Sequence, residues 1–337
     1  MYFKISWHIE VGDYRLGMLD NVDIHKSVDL LADTCTIKLP ATVNNKAIKA
    51  DRINEIEGKV KRGDKVKVFL GYDKDLFGKE DVPEFEGYLL NIGTDDGSII
   101  FNCEDDLFLM RKAVADKQFK NATVKQIAEY LVSETKCGLL INCSLTINYD
   151  KFVISKATAY DVLKKLQDET KGNIYIKKNA AGVGVLNIHP PYIEKHGEVY
   201  YSFQQNIEKS DLKYKSKEDK KLEVEVENTG KDGKKIVVTS GTTGGDKITI
   251  KGYGLSKSAM QILADAEFKR RMYEGFEGSI TTWLIPFIEP GYTAHIEDED
   301  YEFKNGAYYT TAVTTTVDGS GGGVRKVQLG IKLIGNG

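Results

Sequence analysis

The chain has 337 residues, long enough for two or three domains, each with its own core. Its 47 Lys and Arg nearly balance 50 Asp and Glu, and the formal net charge of −3 argues against a role that depends on wrapping a polyanion. No run approaches the ~20 apolar residues of a membrane-spanning helix and the start lacks a signal-length apolar segment, so the expectation is a soluble, cytoplasmically made protein without direct membrane insertion.

From residue 1 to about 112 the apolar residues repeat with a period of two. Phe3, Ile5, Trp7, Ile9 and Val11 share one face of a strand, and Cys35, Ile37 and Leu39 repeat the pattern until Pro40. After the Gly63-Asp64 turn come Val66, Val68, Leu70 and Tyr72, then Tyr88, Leu90 and Ile92, then Ile99 to Cys103. This predicts a five- or six-strand antiparallel unit with one buried face, whose edges close into a barrel or pair with another subunit.

Around residue 113 the period becomes helical. Thr123 and Gln126 form a capping box ahead of an apolar stripe of Val124, Ile127, Ala128, Leu131 and Val132, with Gly138 as the stop. A second helix is expected from Thr158 to about Lys171, with Val162, Leu163 and Leu166 inward and Gly172 as its stop. The segments match at Ala122-Thr123 with Ala157-Thr158 and at Glu134-Thr135-Lys136 with Glu169-Thr170-Lys171. Two similarly capped helices or a duplicated helix-strand unit both account for this, and either makes residues 113–200 a small α/β connector.

Beyond residue 200 the period of two returns. Leu222, Val224 and Val226 alternate with Glu223, Glu225 and Glu227, a Gly-rich loop spans Gly241 to Gly245, and strands are expected at 278–285, 293–296, 307–317 and 324–333. One helix interrupts at about 256–273, with Ala259, Ile262, Leu263 and Ala266 as its stripe. The fold class is therefore α+β and mainly β: two antiparallel β domains (1–112 and 201–337), closed into barrels or paired with other subunits, joined by the connector.

The residues assemble no catalytic centre, so no catalytic, cofactor-binding or metal residue is assigned and no cofactor is expected. His8, His25, His189, His196 and His295 form no pair at metal-ligand spacing, and Cys35, Cys103, Cys137 and Cys143 read as reduced, mostly buried thiols. The acidic run Glu297-Asp298-Glu299-Asp300-Tyr301-Glu302 lacks the spacing of a hand-type calcium loop and reads as a solvated hairpin. Gly241-Thr242-Thr243-Gly244-Gly245-Asp246-Lys247 lacks the glycine-lysine-hydroxyl sequence of a phosphate-cradling loop.

In order, Gly63 to Tyr72, Phe85-Glu86-Gly87-Tyr88-Leu89 and Ile99 to Asp105 resemble the first barrel of phage tail hub proteins. That family includes the late-control-D proteins of contractile-tailed phages and shares its fold with the N-terminal part of type VI secretion spikes. The two capped helices leading to Gly172-Asn173-Ile174-Tyr175 resemble its connector. Ala259 to Arg271, then Ile285 to Tyr292, then Asn305-Gly306-Ala307-Tyr308-Tyr309 resemble its second barrel. Two departures stand out: no histidine occurs from Val313 to Thr316, and no β-helical needle follows residue 337, so the resemblance implies a separate spike protein.

The resemblance implies two antiparallel β-barrel, tail-tube-like domains and the role of a non-enzymatic baseplate hub of a phage or prophage contractile-type tail. It would form a homotrimer adapting the six-fold tail tube protein to a three-fold spike, with other baseplate proteins as neighbours and DNA only as passing cargo. Its place would be the virion, after assembly in the bacterial host cytoplasm, with loops 73–81 and 241–245 as candidate contacts. The alternatives are a cell-wall or carbohydrate-acting enzyme on a β scaffold, whose carboxylates would meet only in space, and a monomeric binding module.

Overall fold

The computed structural model describes residues 4–40, 44–45, 48–49, 59–72, 83–95, 98–190, 197–216, 221–229, 234–251, 255–272, 274–302 and 305–333. Its first part is all strand: β1 (Ile5–Val11), β2 (Tyr14–Arg15), β3 (Asn21–Ser27), β4 (Thr34–Leu39), β5 (Asn44–Asn45), β6 (Ile48–Lys49), β7 (Lys65–Tyr72), β8 (Phe85–Asp95) and β9 (Ser98–Glu104). The pairing order is β3-β4-β9-β8-β7-β1-β2, antiparallel throughout, with Ile9, Val22, Ile37, Val66, Val68 and Phe101 closing one core. The expected inward face holds in β1, β4, β7 and β9.

In β8 it does not. The buried residues are Phe85, Gly87 and Leu89, whereas Tyr88 and Leu90 are only partly buried. A register shift between Leu89 and Asn91 changes the phase, which returns Ile92 to the same core. Gly87 is required because a Cβ there would sit 2.1 Å from the carbonyl oxygen of Glu104.

The connector follows: β10 (Lys117–Thr123), α1 (Val124–Thr135), β11 (Leu140–Cys143), β12 (Asn148–Ile154), α2 (Ala159–Thr170), β13 (Asn173–Lys178) and β14 (Gly184–His189). Both capping boxes form, Thr123 with Gln126 and Thr158 with Asp161. The halves repeat at an interval of 35 residues in features that do not depend on residue type. Val124 N–H donates to Ile147 and Ala159 N–H to Lys112, and the positive-φ residues Asn121 and Lys136 recur as Lys156 and Lys171. β10 pairs antiparallel with β12 through Lys117↔Ile154 and Phe119↔Phe152, placing a local two-fold between them. The connector is thus two copies of one β-α-β unit. Its helices stop one or two residues before the expected glycines: Lys136 and Lys171 take the left-handed cap themselves, their amides bonded to Val132 and Gln167.

The last part contains β15 (Glu198–Ser202), β16 (Ile207–Ser210), β17 (Lys213–Lys215), β18 (Leu222–Thr229), β19 (Lys235–Gly241), β20 (Asp246–Lys251), α3 (Lys257–Arg271), β21 (Gly275–Thr282), β22 (Thr293–Glu297), β23 (Gly306–Asp318) and β24 (Gly323–Leu333). β18, β19 and β20 form a separate sheet on which α3 packs, and Val224, Val226 and Leu263 join the same apolar cluster as Ile127 and Leu166 of the connector. The buried apolar residues of β18 and α3, expected within the second β domain, therefore share the connector's core. The buried stripe of α3 is Ala259, Met260, Leu263, Ala264 and Glu267, while Ile262 is 42% exposed, so the stripe is turned by about 80° from the expected one.

One strand decides how the two β parts relate. Along one edge β23 pairs with β22 from Gly306 to Tyr309 and then with β3 from Ala312 to Asp318, while its other edge carries β24. Irregularities between Tyr308 and Ala312 fall where it exchanges one neighbour for the other. The two β parts are thereby one curled, largely antiparallel 14-stranded sheet. The mainly β, α+β class holds.

Candidate assembly surfaces

The residues weighed for chemistry remain dispersed. His8 bonds Glu10 at 2.7 Å, His25 bonds Thr314 at 2.9 Å, His189 bonds Ser144 at 2.7 Å, and His295 stacks on Tyr200 with ring centroids 4.5 Å apart. His196 and loop 73–81 lie outside the described residues. Among the described residues no group of three or more His, Cys, Asp or Glu is placed to hold a metal ion, and no helix is long and apolar enough to cross a membrane.

Cys35 and Cys103 face each other across β4 and β9, and burial pushes the Cys103 thiol up to about 12 and that of Cys35 well up, so both stay protonated. In the acidic run, Asp298 accepts the amides of Asp300 at 3.0 Å and Tyr301 at 3.1 Å, an ordered loop turn. At Gly241 the chain passes so close to Leu222 that a Cβ would lie 2.3 Å from its carbonyl oxygen, and Gly244 N–H donates to Glu223. That loop is a tight turn between β19 and β20.

Two charged clusters absent from the sequence reading sit where the two β parts of the chain meet. In the first, Arg325 of β24 donates to Glu84 at 2.6 Å and to the carbonyl of Pro286 at 2.7 Å, and also to the carbonyl of Leu284. Thr315 of β23 donates to the same carboxylate at 2.9 Å, and Arg325 is 1% exposed. In the second, Lys26 of β3 donates to Glu289 at 2.8 Å beneath the Phe287 ring. Burial opposes the charge on Lys26, but Glu289, Asp33 and Glu84 together hold its pKa above the ordinary value.

Beside Lys26, Asp33 and Asp105 clasp each other through backbone. Asp33 N–H donates to the Asp105 carboxylate at 3.0 Å, Asp105 N–H to the Asp33 carbonyl at 3.1 Å, and the Asp33 carboxylate accepts the Ser27 amide at 3.1 Å. Burial pushes the Asp33 carboxyl up to about 6 against the opposing pull of Lys26, and raises Asp105 further, with Asp33 adding to the shift. These groups border a cleft of about 470 Å³ between β3, the start of β8 and β13.

The sequence carried a signal for both cations. Lys26 is in phase with Val22 and Ile24, and Arg325 with Val327 and Leu329, each a cation at an inward position of an alternating strand. Their partners lie far away in the chain and carry no such signal.

Open strand rims are the other surface feature. Among the described residues β15 pairs only with β22, β20 only with β18, and β13 only with β14. Such rims expose unpaired peptide groups and suit strand addition.

Solved structures resemble this arrangement over almost its full length. A tail protein from Neisseria meningitidis aligns with TM-score 0.62 and 14% identity, covering 97% of this chain and 96% of that one. The 43 kDa tail protein of prophage MuSo2 from Shewanella oneidensis aligns with TM-score 0.62 and 14% identity, covering 98% and 97%. The chain has the fold of these tail proteins. A type VI secretion system component of E. coli, itself structurally similar to bacteriophage T4 tail proteins, shares the fold at TM-score 0.59 and 10% identity, over 97% of this chain and 77% of that one. At such identities the likeness is one of fold. No family model matches the sequence, and no curated protein matches it.

Proposed function

We propose that the chain is a non-enzymatic structural subunit of a phage or prophage tail, built as the baseplate hub. The observation carrying this reading is the double pairing of β23, which holds two curled β parts in one continuous sheet, in a fold that tail proteins share from end to end. Three copies of a chain with two similar curved parts present six comparable walls, so one ring can match a six-fold tail tube on one face and a three-fold spike on the other. Open rims at the barrel margins would be satisfied by neighbouring copies and by other baseplate proteins. The near-neutral charge suits a channel along which DNA slides without sticking.

The test is solution mass and electron imaging of the full chain, alone and mixed with tail tube and spike proteins. Trimer mass and three-fold rings are expected in at least the mixed sample. A chain that stays monomeric in both, or one that releases sugar or peptide from peptidoglycan, would overturn the reading.

A further inference from the structure

The cleft between β3, β8 and β13 has the features of a peptide-binding site. All six residues of β13, Asn173 to Lys178, border it. Because side chains on a strand alternate between two faces, a cavity touching every residue in succession lies along the strand's rim and not over one face. The other rim of β13 is paired with β14, and no described strand pairs with the rim on the cleft side.

The charges along this rim do not balance. Asp33, Asp105 and Asp106 line the cleft together with Glu86 and Glu289. Lys178 answers Glu86 at 2.7 Å and Lys26 answers Glu289 at 2.8 Å, which leaves Lys177 as the one remaining lysine of the lining against three aspartates. Asp33 and Asp105 take their hydrogen bonds from backbone amides, so no side-chain cation of the lining is bonded to either. Burial raises both carboxyls, opposed at Asp33 by the nearby charge of Lys26 and reinforced at Asp105 by Asp33.

We propose that this cleft binds an extended, basic segment of a partner polypeptide, which adds as a strand to the open rim of β13 and directs an Arg or Lys side chain to Asp33 and Asp105. Main-chain hydrogen bonds to β13 supply affinity, and the aspartate pair selects for a cation in one register. Ile174 and Ile176 give apolar contact for residues between the basic ones. The site belongs to a single subunit and does not rest on ring formation.

The experiment uses the full chain and fluorescent eight-residue peptides alternating Arg with Val, compared with Glu-Val counterparts by anisotropy. Two further Arg-Val peptides carry N-methyl groups on either the odd or the even residues, so that one of them loses the amides a paired strand must donate. The Arg-Val peptide is expected to bind, to protect β13 amides from hydrogen exchange, and to weaken by about tenfold or more on N-methylation in one register only. Asp33→Asn and Asp105→Asn, each keeping an acceptor oxygen for its backbone amide, are expected to weaken binding by a similar factor. Equal binding of the Glu-Val peptide, or insensitivity to N-methylation in both registers, would overturn the proposal. Unchanged binding in both Asn variants with native near-ultraviolet dichroism would do the same. The N-methyl series needs no variant to fold.

Discussion

Arg325 and Glu84 stand 241 positions apart in the chain and meet at 2.6 Å in a site from which water is almost excluded. The pair ties β24 to the segment entering β8, and Arg325 also gathers the carbonyls of Leu284 and Pro286. It therefore clamps the two curled parts together at their shared seam.

A buried pair is costly to break from one side because the surviving charge is left without compensation. Arg325→Met is expected to destabilise the chain by about 3–5 kcal/mol, and Glu84→Met with Arg325→Met by less than Arg325→Met alone. Denaturant unfolding of the two variants and the parent provides the comparison, and strictly additive losses would refute the coupling.

Asp33 gives stability a pH dependence of unusual sign. Its folded pKa, about 6, lies above the ~3.9 of an unfolded aspartate, so the folded chain holds a proton that the unfolded chain has released between those values. The stabilisation is complete below the unfolded value and is lost as pH rises through about 6. Lys26, Glu289 and Asp105 face the group, and Asp105 is shifted in the same direction. Asp33→Asn should therefore exceed the parent in stability at pH 8 by on the order of 1 kcal/mol, with the gain shrinking at pH 5. Urea titrations at both pH values decide it, since an equal difference at the two would contradict the assignment.

The two-fold repeat in the connector predicts matched responses. Thr123→Ala and Thr158→Ala each remove a side-chain acceptor from a complete capping box, at 3.2 Å from the N3 amide in both helices. Each should cost about 1 kcal/mol, and the two costs should agree within about 0.5 kcal/mol. Thermal unfolding followed by circular dichroism would measure both, and a severalfold disparity would show that the copies are not energetically equivalent.

Gly87 is where β8 touches the end of β9. A methyl group there would collide with the backbone of Glu104 and Asp105, which no rotamer change relieves. Gly87→Ala should cost more than about 2 kcal/mol, and by pushing Asp105 it should also disturb the cleft. A full-length variant as stable as the parent would show that the two strands separate at little cost.

Much of this architecture was legible in the order of residues. Period-two alternation at Ile5 to Val11 and Cys35 to Leu39 specified strands and their inward faces, because a pleated strand turns successive side chains to opposite sides. Thr123 with Gln126 marked one helix start because those side chains bond amides only three residues away, and Thr158 marked the other, where the structure adds Asp161 to complete a second box. The α3 stripe was misread because two neighbouring apolar columns, one through Ile262 and one through Met260 and Ala264, satisfy helical spacing equally well. Only packing against β18 and β19 selects between them.

By itself, then, the sequence determined whatever depends on interactions within a few residues: strand faces, caps, turns, and the anomaly of a lysine and an arginine at inward positions. Tertiary structure alone decided what depends on chain closure over long loops. Among these are the exchange of β22 for β3 along β23, the packing of β18 and α3 on the connector's core, and the meeting of Asp33 with Asp105. A charged side chain carries no mark of its partner's place in the chain, and burial, which gives such a pair its strength, exists only after the sheet has curled.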